Sequence, residues 1–275
     1  MLKRYILFLK KYPLITAAVA IVYAMVCIKT IKTDSFFEMF ILRSLLCGAM
    51  AFFLYQISGD KTLASSYNST WYVIKVGVGF WLVAFPIGIL GLLSAADNPV
   101  WDNIPFQTLS VFLGFLFVGL FEEMAFRAVI NDAIIYRFRD KKYVFVLSAV
   151  VSSLAFGVAH IIGSGITDWV GVIQAIGKTV QTGVFGLAIL FLYWKTRNIW
   201  ACGVIHGIYD FLISIANCFF NIPKENKVNY VIQGEYGKVL VGIYAVTTLV
   251  ELFIFWRIYR KIGKSIDYQK IREEW

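Results

Sequence analysis

Long apolar runs separated by short polar stretches occupy most of this chain. A helix that crosses the hydrocarbon core of a membrane needs about 20 predominantly apolar residues. Eight runs meet this requirement, at residues 14–31, 36–57, 71–93, 106–136, 144–162, 170–194, 199–220 and 239–258. The pattern predicts an all-α, polytopic membrane protein of about eight transmembrane helices. Because the eight runs leave no room for a separate soluble domain, residues 1–275 are predicted to form a single transmembrane domain.

The composition supports a membrane protein. Hydrophobic residues make up 59% of the 275 residues and charged residues 16%, whereas soluble domains are about half apolar and a quarter charged. The basic start, followed by an apolar run, is also typical of a signal peptide. No small-x-small cleavage pattern follows Ile28 and Lys29, so the first run is predicted to be a retained span.

The distribution of positive charge predicts the orientation. With eight spans, 17 of the 26 lysines and arginines fall on the side that holds both termini, and five fall on the other side. Cytoplasmic segments of membrane proteins carry this excess. Both termini are therefore expected in the cytoplasm, with anionic lipid attracted to the basic side. The chain resembles no nucleic-acid-binding module, and its oligomeric state is not predicted.

Five ionisable residues interrupt three of the apolar runs. The only two histidines are His160, in SSLAFGVAH, and His206, in CGVIHGIYD, while Glu122, Glu123 and Arg127 lie in FEEMAFR. An ionisable side chain in the middle of a membrane costs at least ~3 kcal/mol on insertion scales. Several such residues are best explained by one shared polar site inside the helix bundle.

Helical spacing sorts these residues into pairs. His206 and Asp210 are four residues apart and share a helix face, as do Glu123 and Arg127. Glu122 points about 100° away from Glu123, so one carboxylate is expected to meet the arginine and the other is left for another role. The fourth run is too long for a plain span, so it is expected to be tilted or broken near the glutamates, opening a water-filled pocket.

Three motifs together resemble the CPBP (CAAX protease and bacteriocin-processing, Abi) family of intramembrane proteases, which are related to the Ras-converting CAAX endopeptidase. They are Glu122-Glu123-x-x-x-Arg127, Phe156-x-x-x-His160 and His206-x-x-x-Asp210, in a motif-bearing core at about 106–220. This chain carries Asp210 where the CAAX-processing relatives commonly carry Asn. The resemblance implies an intramembrane endopeptidase acting on membrane-associated peptides or proteins, whether or not they are prenylated.

The resemblance also implies roles for the residues. Glu122 with His160 would position and deprotonate a water molecule, while His206 with Asp210 would bind the oxyanion. Arg127 would hold Glu123. Because an ionised carboxylate cannot donate a hydrogen bond, Asp210 is expected either to orient His206 or to be kept neutral by burial.

The metal requirement remains open. The family is often described as metalloproteases, and two histidines with a glutamate form a known zinc set. Here that set would be Glu122, His160 and His206, yet the histidines lie on different spans and no HExxH is present. A bound zinc ion and a metal-free mechanism are both retained.

The remaining ionisable residues in the spans are interpreted as structural. Glu38 and Arg43 are expected to pair or to reach the membrane surface, Lys75 and Lys178 to reach an interface, and Glu251 has no evident partner. Phe156 is interpreted as packing, and the Glu123–Arg127 pair as neutralising two charges.

Three alternative functions remain. Ser164 follows His160 in Ile-Gly-Ser-Gly but lacks the first glycine of a rhomboid-type GxSG, and Tyr209-Asp210 lacks the GxGD of aspartyl intramembrane proteases. A non-catalytic scaffold or a proton-coupled transporter could use the same polar cluster as a relay. The intact motifs favour a multi-pass protease of a bacterial cell membrane.

Overall fold

The computed structural model describes residues 2–64, 66–94, 103–220 and 230–274. Helices account for most of these residues. In chain order they are α1 (Leu2–Lys11), α2 (Pro13–Thr30), α3 (Phe36–Ser58), α4 (Lys61–Ala64), α5 (Thr70–Gly77), α6 (Gly79–Ser94), α7 (Ile104–Glu123), α8 (Asn131–Phe138), α9 (Val144–Ile161), α10 (Trp169–Thr196), α11 (Ile199–Ile213), α12 (Glu235–Ile262) and α13 (Tyr268–Glu273). A π-helical segment, Met124–Ile130, joins α7 to α8. The all-α, polytopic prediction is confirmed.

The predicted number of eight spans is too high for the described residues. Six helices are long and apolar enough to cross a membrane, and a seventh span is obtained if α5 and α6 count as one. These two helices meet at an angle of 58°. The bend lies next to Gly77 and Gly79, and glycine is unfavourable inside a regular helix. Helix α11 has 15 residues and is about 22 Å long, so it falls short of a full span.

The two ends of the helix bundle are distinguished by the contacts that lie there. At one end, called the terminal face, the guanidinium of Arg272 donates to the carbonyl of Arg139 at 2.9 Å, and Lys10 lies 5.7 Å from the ring centre of Tyr55. At the other end, called the distal face, Gln174 bonds the backbone of Ile232 through both its amide atoms. Helices α2 and α9 both run from the terminal face to the distal face.

A buried polar cluster closes the terminal face. The carboxylate of Asp132 accepts two bonds from Arg197, at 3.0 and 3.1 Å, one from Thr62 at 2.7 Å, one from Tyr193 at 2.8 Å and one from Asn131 at 2.7 Å. Since Arg197 is a cation, its two bonds to this carboxylate are charge-assisted and strong. The cluster joins α4, α8 and α10.

The end of the chain is attached to this cluster. Glu274 lies 3.5 Å from Nε of Arg197 and accepts a hydrogen bond from the hydroxyl of Tyr67. Burial, together with this bond, raises the pKa of Tyr67, so its hydroxyl remains a donor at neutral pH. The terminal face is therefore closely packed, whereas the distal face contains an open cavity.

Close backbone contacts bring α7 and α11 together beside the polar residues. A Cβ placed on Gly207 would lie 2.6 Å from Cα of Leu116, and one on Gly203 would lie 2.8 Å from Cα of Leu120. These glycines form the small-xxx-small pattern that allows membrane helices to approach closely. The close approach places His206 against the end of α7.

Candidate functional site

The fourth apolar run, which was expected to be tilted or broken near the glutamates, contains a π-helical segment. Helix α7 ends at Glu123, and Met124–Ile130 continues in π-helical form before α8 resumes the α-helix. Ile104–Phe138 is one helical stretch of 35 residues, with Glu122 near its midpoint. π-Helical segments occur frequently at functional sites. The predicted break near the glutamates is wrong, because the helix changes its winding there and continues, and the predicted tilt stays a prediction.

Glu123 lies between the arginine and a histidine. Its Oε2 is 3.1 Å from Nε of Arg127, and its Oε1 is 2.7 Å from Nδ1 of His206. The side chains of Glu123 and Arg127 are fully buried. The predicted i,i+4 ion pair is thus present. Its bond to His206, on another helix, was not predicted.

Arg127 packs against an aromatic ring as well as its carboxylate. Its Cζ lies 3.9 Å from the ring centre of Phe156, a distance at which a cation is attracted by the face of the ring. Gly186 leaves space for this arrangement, because a Cβ there would lie 2.5 Å from Nη2 of Arg127 and 3.0 Å from the Phe156 ring. The sequence had suggested that Phe156 only packs, but its ring also contacts the Arg127 cation.

The other nitrogen of His206 faces two carboxylates. Its Nε2 is 3.7 Å from Glu122 and 3.4 Å from Asp210. The expected proximity of His206 and Asp210 is confirmed. However, Glu123 and not Asp210 makes the short bond that orients the ring, because only Glu123 reaches Nδ1. Asp210 and Glu122 both lie on the Nε2 side of the His206 ring.

His160 is held by its own helix. Its Nδ1 is 2.8 Å from the carbonyl oxygen of Phe156. Because a carbonyl can only accept, this nitrogen carries the hydrogen, and Nε2 of the neutral ring is an acceptor. The Phe156 ring lies edge-on to both histidines, with centres 4.6 Å from His160 and 5.7 Å from His206. Phe156 thus contacts both imidazoles.

A cavity of about 220 Å³ contains Glu122 and His160. Its floor includes the buried residues Phe121 and Ala125, and its rim includes the exposed residues Lys29 and Ile162. Both rim residues lie at the distal ends of their helices, so the cavity opens on the distal face. The lining residues are Ile21, Ala24, Met25, Ile28, Lys29, Arg43, Phe121, Glu122, Ala125, Phe126, Ala159, His160, Ile162 and Tyr230.

A larger groove lies elsewhere, and it lacks the candidate chemistry. It measures about 810 Å³ and runs between α9 and α10, with an almost entirely apolar lining. None of the six candidate residues lines it. Ser164, the residue of the rhomboid alternative, lies in the turn after α9 and is absent from the described lining of the smaller cavity.

A second polar cluster explains Glu251, for which the sequence offered no partner. Its Oε1 accepts from Gln181 at 2.5 Å and from Tyr209 at 3.3 Å. Lys178 donates to Gln181 at 2.9 Å, and the expectation that Lys178 reaches an interface stays a prediction. All these contacts except the last join different helices. Sequence spacing could have revealed only the pair Lys178 and Gln181, which are three residues apart.

The described residues do not form a clear metal site. Among them, no group of three or more His, Cys, Asp or Glu side chains could hold a metal ion. Both nitrogens of His206 are already directed at carboxylates. The set Glu122, His160 and His206 therefore does not fit a zinc ion as arranged here.

Comparison with known proteins supports the resemblance. Residues 104–212 match the family model described as type II CAAX prenyl endopeptidase Rce1-like. The match contains all six candidate residues and lies close to the predicted core at 106–220. No curated protein and no solved structure matches the chain. The match supports the resemblance of this core segment to the CPBP/CAAX family of intramembrane proteases, and the long apolar helices are those of a polytopic membrane protein.

Replacing Arg127 tests the buried pair. We expect Arg127→Leu to destabilise the protein by ~3–5 kcal/mol, because one member of a buried ion pair is left uncompensated. The additional change Glu123→Gln should restore much of this loss. Thermal unfolding and yield in detergent measure both effects, with Arg137→Leu, an exposed arginine of α8, as the control. A stable but inactive Arg127→Leu protein would instead indicate that Arg127 takes part in the chemistry.

Proposed function

We propose that this Rce1-like protein is an endopeptidase of the cell membrane that hydrolyses peptide bonds of membrane-associated peptides or proteins. The supporting observation is that Glu122 and His160 line one cavity while Nε2 of His206 lies 3.7 Å from Glu122. Glu122 and His160 are acceptors that can position a water molecule and take its proton, and His206 is a further donor directed at Glu122.

The first step is attack by water on the peptide carbonyl. A water molecule in the cavity donates its hydrogens to the Glu122 carboxylate and to Nε2 of His160. Glu122 removes one proton as the water oxygen bonds to the carbonyl carbon, and the carbonyl oxygen becomes an oxyanion. General-base assistance of this kind contributes typically about 10²–10⁴-fold.

His206 supplies the donor for the oxyanion. Its Nδ1–H bonds to Glu123 at 2.7 Å, which fixes the plane of the ring and leaves Nε2 directed at the cavity side. A donor held in place before the reaction stabilises developing charge more than a mobile one. Asp210, at 3.4 Å from Nε2, favours the protonated ring by its negative charge.

Collapse of the tetrahedral intermediate completes the reaction. The C–N bond breaks, and Glu122 returns its proton to the leaving amine. The products are a carboxylic acid and an amine, the acid then gives its proton to the amine to form a carboxylate and an ammonium group, and Glu122 is regenerated as a carboxylate. The sequence of steps uses only residues of this chain, and the zinc alternative is distinguished by experiment.

Replacing Glu122 tests this function. We expect Glu122→Gln to abolish detectable cleavage of membrane-tethered peptides by purified protein, since the isosteric amide cannot accept a proton. His206→Ala should slow turnover by about 10²–10³-fold, as an oxyanion donor is lost. Glu273→Gln, at an exposed glutamate of the terminal face, is the control. Full activity of Glu122→Gln would remove this residue from the mechanism.

The same assay separates the alternatives. Activity should survive exhaustive chelation. Loss of activity that one equivalent of zinc restores would instead support a metalloprotease. A proton relay or transporter predicts no cleavage by wild-type protein, together with proton movement in liposomes that disappears in Glu122→Gln.

The side from which substrate enters follows from the two faces. With both termini in the cytoplasm, as the charge distribution favours, the cavity mouth at Lys29 and Ile162 faces away from the cytoplasm. We propose that substrates reach the site from that side.

Labelling of single introduced cysteines tests this orientation. In intact cells, a membrane-impermeant maleimide should label Ile162→Cys and leave Lys264→Cys, on the terminal face, unlabelled. The four native cysteines are buried or half-buried, and wild-type protein measures their background. Labelling at position 264 alone would reverse the proposed orientation.

A further inference from the structure

Arg43 brings a positive charge to the active-site cavity from outside the matched segment. It lies on α3, and its side chain lines the cavity that contains Glu122 and His160. Cζ of Arg43 is 5.2 Å from the ring centre of Phe121, which forms part of the floor. The motifs and the family match do not include this residue.

Two of the three guanidinium nitrogens of Arg43 are buried and lack hydrogen-bond partners among the described residues. Within the part of the chain that the structure describes, Nε and Nη1 are enclosed without an acceptor. The expected partner, Glu38, is engaged elsewhere, because its Oε2 accepts from the backbone nitrogen of Asp34 at 2.5 Å. The expectation that Glu38 and Arg43 pair is therefore wrong.

A buried donor without an acceptor costs free energy, which an arriving acceptor recovers. Glu122 lines the same cavity as Arg43, yet it does not bond Nε or Nη1. The planar guanidinium matches a carboxylate, to which it can donate two parallel hydrogen bonds. Lys29, exposed at the cavity rim, adds a second positive charge that favours entry of an anion.

We propose that Arg43 forms a carboxylate-binding subsite for the substrate beside the reacting groups. This inference rests on the proposed peptidase function. In a peptide, the carboxylate is either the free C-terminus or the side chain of an aspartate or glutamate. Arg43 binds this group at a fixed place in the cavity and thereby sets which peptide bond lies next to Glu122.

Matched peptides test the subsite and identify the source of the carboxylate. The probes are one library of membrane-tethered fluorogenic peptides with a free C-terminus, the same library with a C-terminal amide, and a version with Asn and Gln in place of Asp and Glu. We expect wild-type protein to lose about 10- to 100-fold in kcat/KM when the recognised carboxylate is made neutral, as for a charged hydrogen bond.

Variants at position 43 show whether the arginine is responsible. Arg43→Gln should remove the preference for the carboxylate mainly through KM, and Arg43→Lys should retain part of it. Lys75→Gln, a lysine of α5 that lines a different pocket, should keep the full preference. Equal cleavage of charged and neutral probes by wild-type protein, or an unchanged preference in Arg43→Gln, would overturn the proposal.

A binding measurement keeps the subsite separate from the peptidase function. The affinity of Glu122→Gln protein for the charged and neutral probes needs no turnover. Tighter binding of the charged probes without any cleavage by wild-type protein would support the subsite and reject the peptidase function. Cleavage without discrimination in either assay would reject the subsite alone.

Discussion

The bridge made by Glu123 is the interaction on which the candidate site depends. One of its oxygens pairs with Arg127 and the other bonds Nδ1 of His206. In a membrane, each of these groups would be costly to bury alone, and together they neutralise one another. The bridge also couples the π-helical segment to α11, so the same contact that stabilises the fold turns Nε2 of His206 toward Glu122. One carboxylate therefore both stabilises the fold and orients the ring on which the proposed chemistry depends.

Hydropathy predicted most of the architecture because a membrane span is defined by its length and its apolar character. All eight apolar runs are largely helical in the described residues. The number of full spans was overestimated because hydropathy does not register geometry. The bend of 58° between α5 and α6 follows from two glycines around Val78, and the early end of α11 at Ile213 interrupts no apolar run. Neither changes the mean hydropathy of its segment.

Spacing within one helix predicted part of the site for a similar reason. Glu123 with Arg127, and His206 with Asp210, are neighbours through helical periodicity alone, and both contacts are present. The bond from Glu123 to His206, the entry of Arg43 into the cavity and the partners of Glu251 all depend on how helices are rotated against one another. A single sequence contains no periodic signal for these contacts. The catalytic roles of the residues remain predictions.

Nitrogen NMR of the two histidines tests the arrangement most directly. Because the chain has only two, uniformly ¹⁵N-histidine-labelled protein gives four ring-nitrogen signals. The account predicts that Nδ1 carries the hydrogen in both rings and that Nε2 of His160 is bare when the ring is neutral. Removing the bridge with Glu123→Leu and Arg127→Leu together should move the His206 signals and leave those of His160 in place. A neutral His160 with its hydrogen on Nε2, or His206 signals that do not move, would contradict the account.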